Sequence, residues 1–256
     1  MVKLAIFAAF IFLAPQNSRA QEALGSSSFD LDVKQGSQEI LLAKKQMSKK
    51  ASPQGKTPAA QRWPRVLFIL TSDKHGYWGE ELAAPVEILG GKDIRLDFAS
   101  PSGQAVIDPA SAPDPDVLPP TDPLFQWTSA DTARKVRKLH EKISKGVLKV
   151  GSARGSAYDA VVVVGGHGSM FDVNRDPEVH RILREAKSHG KIVAAECHGT
   201  GALAFADVIQ NTRVTGFPDA WEPLALRPEL PYVLQDMLNK ASGGRYESGL
   251  KPNEPP

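Results

Sequence analysis

A single cysteine, Cys197, stands in a chain of 256 residues. Neither an intramolecular disulfide framework nor a cysteine-rich zinc module can be built from it. Aromatic residues make up only 7%, and charge is nearly balanced, with 31 Lys and Arg against 29 Asp and Glu. A net charge of +2 offers no sustained basic surface for a polyanion, so nucleic acid is not an expected partner. With 41% hydrophobic residues, 20 Pro and 21 Gly, collagen-like, coiled-coil and polytopic membrane chains are excluded. The length suits one domain with a sizeable core plus extra segments.

Residues 1–20 read as a secretory signal. Lys3 gives a positive start, 4–15 is almost wholly apolar, and Ser18-Arg19-Ala20 places small residues before a cut. The run is too short for a transmembrane anchor, so cleavage after Ala20 is expected, with export and no stable membrane insertion of the mature chain. An exported protein with one thiol has no partner for it within its own chain. Residues 21–63 are rich in Ser, Lys, Gln, Gly and Ala and read as a flexible leader.

From Arg65 the character changes. Val66–Leu70 is a continuous apolar run, as expected of a strand buried on both faces. The spacing then predicts a helix over 80–89, a strand over 94–99, mostly loop over the Pro- and Asp-rich 101–128, and an amphipathic helix over 130–145. Strands at 160–164 and 192–195 and helices at 177–189, 198–208 and 232–240 complete the pattern. Strands alternating with helices mean an α/β fold, a parallel-sheet three-layer sandwich. The domain is expected over 64–240, with 241–256 a disordered tail.

In open parallel sheets, active sites lie beyond the carboxyl ends of the strands. Two strands end there in Gly-rich turns, Val164-Gly165-Gly166-His167-Gly168 and Ala195-Glu196-Cys197-His198-Gly199. A Cys at such a turn, near a helix N-terminus, is expected to face a crevice and favour the thiolate. Gly199-Thr200-Gly201-Ala202-Leu203-Ala204 also matches the dinucleotide pattern G-x-G-x-x-A, but it lies late in the domain. Six histidines, at 75, 140, 167, 180, 189 and 198, form no H-x-x-x-H pair, so no metal is expected. His75 and His167 follow strand ends and are placed to approach each other. One of Glu80 and Glu81 is expected to project into the crevice, its pKa raised by desolvation.

These residues carry a resemblance. His75-Gly-Tyr-Trp-Gly-Glu-Glu-Leu-Ala-Ala-Pro85, Ala99-Ser-Pro-Ser-Gly103, Ile107-Asp-Pro109, Tyr158-Asp-Ala160, Gly165-Gly-His-Gly-Ser-Met-Phe-Asp172, Cys197-His-Gly199 and Val214-Thr-Gly-Phe217 with Glu222 occur in order. In them the chain resembles the ThiJ/PfpI superfamily, in its heat-shock glyoxalase/deglycase branch, over about residues 64–240.

The resemblance implies a flavodoxin-like, class I glutamine amidotransferase-like fold and a cofactor-independent enzyme acting on small 2-oxoaldehydes or glycation adducts. By position, Cys197 is the nucleophile, His198 its acid/base, Glu222 the carboxylate that orients the imidazole, and Glu81 the carboxylate contacting the cysteine. The backbone N–H groups of Gly166 and His198 form the oxyanion hole. Methylglyoxal would be converted to D-lactate.

The sequence departs from the pattern at Glu196, which replaces the usual apolar residue and is expected to raise the thiol pKa if it faces the site. The family's further C-terminal strand and helix find no match here, so a truncated C-terminus is expected to leave apolar surface uncovered unless a partner or rearranged tail covers it. Homodimers are common in the superfamily. A glutamine amidotransferase would need a His well downstream, and none follows His198. The rival reading is an exported stress chaperone, or a redox sensor using Cys197.

Overall fold

The computed structural model describes residues 10–13, 63–119, 121 and 127–248, with Phe10–Leu13 described in backbone only. Strands β1 (Phe10–Leu13), β2 (Arg65–Ile69), β3 (Arg95–Ser100), β4 (Leu148–Lys149), β5 (Ala160–Val163) and β6 (Ile192–Glu196) form one sheet in the order β1-β6-β5-β2-β3-β4. The five strands β2 to β6 run parallel. In register, Ile69 stands beside Val163 and Val163 beside Ala195, so β2, β5 and β6 end together.

Alternation along the strands explains the three layers. Leu67, Ile69, Val161, Val163, Val193 and Ala195 enter one core. There they meet helices α4 (Pro177–Ser188), α5 (Thr200–Phe205) and α6 (Leu234–Ala241) through Ile182, Leu183, Leu203 and Leu238. Val66, Phe68, Leu70 and Val164 enter the other, with Leu82 of α1 (Gly79–Leu89) and Ile143 of α2 (Ala130–Ser144). Burial on both faces is why β2 and β5 read as unbroken apolar runs. On α2, Ala133, Val136 and Ile143 are buried, while Arg134 and Arg137 reach Asp116 and Asp114 on the preceding loop.

The largest departure from the expected helices is at 198–208. There a 3-10 turn, Cys197–Gly199, precedes α5, which ends at Phe205. Asp207 adopts a left-handed φ of 55°, and the Val208 N–H returns to the Leu203 carbonyl, a helix-terminating geometry. The two-residue β4 and the one-turn helix α3 (Gly168–Phe171) are too short to leave a periodic signal.

At the other edge of β6, β1 pairs antiparallel, Phe10 beside Glu196 and Leu13 beside Val193. The centre of the expected signal segment thus forms this edge of the sheet. Its remaining residues and the leader, Trp63 excepted, lie outside the described residues. Residues 241–248, expected as disordered tail, remain attached to the domain. Tyr246 forms a parallel bridge with Val214 and packs against the core, and Glu247 accepts two hydrogen bonds of 2.8 Å from Arg213. A ring that covers core is held where a purely polar tail would not be.

Helix α4 shows local and global preferences in agreement. Asp176 caps it, accepting from the N–H groups of Glu178 and Val179, and Pro177 occupies the first turn, where a missing N–H costs nothing. Replacing Asp176→Ala is expected to cost about 1 kcal/mol, read as a lower urea midpoint with an unchanged slope.

Candidate active site

The turns after β5 and β6 meet so closely that side chains are excluded from part of the contact. A Cβ on Gly165 would lie 2.5 Å from Glu81 Oε2 and 2.6 Å from Cys197 Cβ, and one on Gly199 would lie 2.9 Å from the Val163 and Val164 carbonyls. Cys197 itself has a φ of 49°, the left-handed region that a non-glycine residue enters at a cost of roughly 1–3 kcal/mol. The turn is pinned from below. Thr200 Oγ1 donates to the Cys197 carbonyl at 2.7 Å, and Asn174 Nδ2 donates to the His198 carbonyl at 2.8 Å.

The same packing accounts for the dinucleotide-like glycines. A Cβ on Gly201 would meet Asn174 Nδ2 at 2.5 Å and the Tyr232 hydroxyl at 2.9 Å. Both Gly199 and Gly201 therefore accommodate neighbouring protein atoms.

The structure brings Cys197, His198, Glu222, Glu81 and the Gly166 amide together. Cys197 Sγ lies 3.2 Å from His198 Nδ1, and His198 Nε2 lies 2.8 Å from Glu222 Oε1. The Gly166 and His198 backbone N–H groups are both directed at the Cys197 sulfur. Glu81, in the first turn of α1, accepts the Gly165 N–H at 2.8 Å and contacts the thiol. Its neighbour Glu80 instead accepts from Thr128 at 2.9 Å.

His167 is the site residue that the spacing does not single out; like His75, it is marked only by following a strand end. In the fold its ring lies 4.2 Å from the His198 ring, and its Nε2 is 3.1 Å from Glu222 Oε2. One carboxylate therefore serves two imidazoles. His75 stacks on Phe171 at 4.2 Å and pairs with Asp73 at 2.6 Å. The signal that finds His167 is its place in the Gly-Gly-His-Gly turn, whose end meets β6 only in three dimensions. Phe217 stacks on His198 with ring centroids 4.5 Å apart.

Electrostatics differ from the expectation at the sulfur. Burial, reinforced by the charge of Glu81, pushes the Cys197 thiol well above its usual pKa, outweighing the two backbone N–H groups. The turn thus holds a thiol, and the expected thiolate preference is overturned. Burial also lowers His198, so its imidazole is neutral. Burial alone would raise Glu222, but the hydrogen bonds from His167 and His198 bring it down to about 2. With Glu222 ionised, His198 donates through Nε2–H and turns the Nδ1 lone pair toward the thiol.

Burial raises Glu81 to about 7, against the opposing hydrogen bonds from Cys197 and Gly165. Glu196 is fully buried, with neither carboxylate oxygen hydrogen-bonded. Burial, then the charge of Glu81, drives it well above the usual carboxylate range, so at neutral pH it is uncharged. The carboxylate that weighs most on the thiol is Glu81.

The family model described as DJ-1/PfpI matches residues 64–228. The glutathione-independent glyoxalase HSP31 of Saccharomyces cerevisiae is 23% identical over 198 residues, covering 73% of this chain and 80% of that protein. Glyoxalase 3 of Candida albicans is 24% identical over 176 residues, 62% of this chain and 71% of its own. The Rapid Encystment Protein 24 KDa of Francisella tularensis has a similar structure, with a TM-score of 0.60 at 26% identity over 74% of this chain and 86% of that one. Glyoxalase III of Candida albicans gives a TM-score of 0.56 at 21% identity over 75% and 84%. The sheet and flanking helices have the class I glutamine amidotransferase-like fold.

Glu81 links the site to pH. Its carboxyl is raised in the folded chain, so the stabilising contribution of its proton is complete below about pH 4.5 and is lost as pH rises through about 7. Glu81→Gln, a neutral mimic, is expected to match wild type near pH 4 and to gain on it up to pH 8. The gain is on the order of 2–3 kcal/mol, measured by denaturant unfolding across that range.

Proposed function

The chain belongs to the DJ-1/PfpI family, and from that membership we propose a cysteine-dependent enzyme that converts small 2-oxoaldehydes to hydroxy acids without a cofactor. The observation that carries the proposal is the continuous line from Cys197 Sγ through His198 to Glu222, with Glu81 against the thiol. Relatives named as glutathione-independent glyoxalases support it.

On methylglyoxal, His198 Nδ1 takes the thiol proton as Cys197 Sγ adds to the aldehyde carbon, and the Glu222 carboxylate offsets the imidazolium charge. The Gly166 and His198 N–H groups receive the oxyanion, which takes up a proton to give a hemithioacetal. A base then removes the hydrogen on the former aldehyde carbon, forming an enediolate. Returning the proton to the adjacent carbon leaves a thioester of a 2-hydroxy acid, and water cleaves it to lactate and free thiol. No net oxidation occurs, because one carbon is oxidised as its neighbour is reduced. Glu81, with a pKa of about 7, is matched to accept and return that proton near neutrality. A thiol sensor is the less supported reading, since oxidation follows thiolate character and this thiol is held protonated.

Export belongs to the proposal. Cleavage after Ala20 would also remove Phe10–Leu13 from beside β6.

With methylglyoxal, the wild-type chain is expected to form D-lactate, with Cys197→Ser reducing turnover to background and Glu222→Gln reducing kcat roughly 100-fold or more. Folded wild-type protein without turnover would overturn the reading. Mass spectrometry of protein recovered outside the cytoplasm should find an N-terminus at Gln21, and recovery solely as the intact cytoplasmic chain would refute export.

A further inference from the structure

The spacing of the histidines gives no metal motif, yet the fold gathers ligand types that the sequence keeps apart. His167 follows β5, His198 follows β6, and Glu222 lies on the loop after the 3-10 turn Asp219–Trp221. One ligand atom from each lies within 4.8 Å of the other two. Both imidazoles direct Nε2 at opposite oxygens of the same carboxylate, at 3.1 and 2.8 Å. His198 and Glu222 are nearly fully buried and His167 is 16% exposed. An approaching ion would therefore meet the triplet from the His167 side.

We propose that His167, His198 and Glu222 form an inhibitory site for a divalent transition metal of the zinc type. Two imidazoles and one carboxylate are a recognised zinc ligand set, leaving one position for water. Zinc bonds of about 2.0–2.2 Å place tetrahedral ligand atoms roughly 3.3–3.5 Å apart, so the existing triplet needs only small side-chain adjustments. Imidazole and carboxylate also exclude the thiolate-only sites favoured by softer ions.

Inhibition follows from the tautomer. A metal bound at His198 Nε2 needs that nitrogen's lone pair, so the neutral ring carries its single proton on Nδ1. Nδ1–H then faces Cys197 Sγ and cannot accept the thiol proton. The metal also occupies the carboxylate that would offset imidazolium charge. No bond to carbon or sulfur is made or broken, and no redox change is involved. Binding stands on the geometry alone, whereas its inhibitory effect rests on the proposed glyoxalase chemistry.

Full-length protein, freed of metal, would be titrated with zinc ion by calorimetry and by competition with a chromogenic chelator. One zinc per chain is expected for wild type and also for Cys197→Ser, because sulfur is not a ligand. His167→Gln and Glu222→Gln should each weaken binding at least tenfold, with their circular dichroism and melting checked against wild type. Unchanged affinity in the two folded ligand variants would overturn the site, as would loss of binding on Cys197→Ser. If wild type turns over methylglyoxal, zinc should inhibit it in parallel with binding and excess chelator should restore it. Binding without inhibition would overturn the inhibitory role. Failure of turnover would count against the proposed enzyme and leave the zinc titration to decide the site.

Discussion

The close crossing of two loop backbones, after β5 and after β6, is the constraint on which the site depends. Gly165 lets the first loop lie against Cys197 and Glu81, and Gly199 lets the second pass over the carbonyls of β5. Any Cβ there would push the loops apart by an amount the buried sheet cannot absorb, because close-packed interiors do not deform continuously. From this crossing follow the left-handed Cys197, the two N–H groups directed at its sulfur and the approach of Glu81. Thr200 and Asn174 hold the strained turn by engaging the carbonyls of Cys197 and His198.

Charge within this confined volume is distributed unequally among three glutamates. Glu222 has two hydrogen-bond donors and stays ionised, Glu81 has one N–H and the thiol and titrates near neutrality, and Glu196 has none and is uncharged. Their differences follow from the balance between desolvation and the kind of donor each meets: two imidazoles for Glu222, an amide and a weakly donating thiol for Glu81, and none for Glu196. The result is a fixed anion beside the imidazole and a transferable proton beside the sulfur. The thiol remains protonated until the imidazole accepts its proton, a division of labour that suits general-base activation better than a standing thiolate.

Much of the fold is legible in the chain because burial on both faces leaves continuous apolar runs such as Val66–Leu70 and Val161–Val164, while one-sided burial gives α2 its stripe. The short elements are not legible. β4 and α3 contain too few residues for a period to show, and the apolar run containing Phe10–Leu13 satisfies an export signal and an edge strand equally well. The turn at Cys197 was expected to open directly into a long helix, whereas the strained 3-10 turn arises from contacts with β5.

By itself the sequence determined the alternation of strands and helices, the two Gly-rich turns at strand ends, and the candidacy of Cys197, His198, Glu222 and Glu81. These are local or motif-based properties, carried by residues close together or by their order. Tertiary structure alone decided which carboxylate is charged, which imidazole nitrogen faces the thiol, and that His167 joins His198 on one carboxylate. Protonation and pairing depend on desolvation and on neighbours tens of residues away, and those exist only once the sheet has brought its strand ends together.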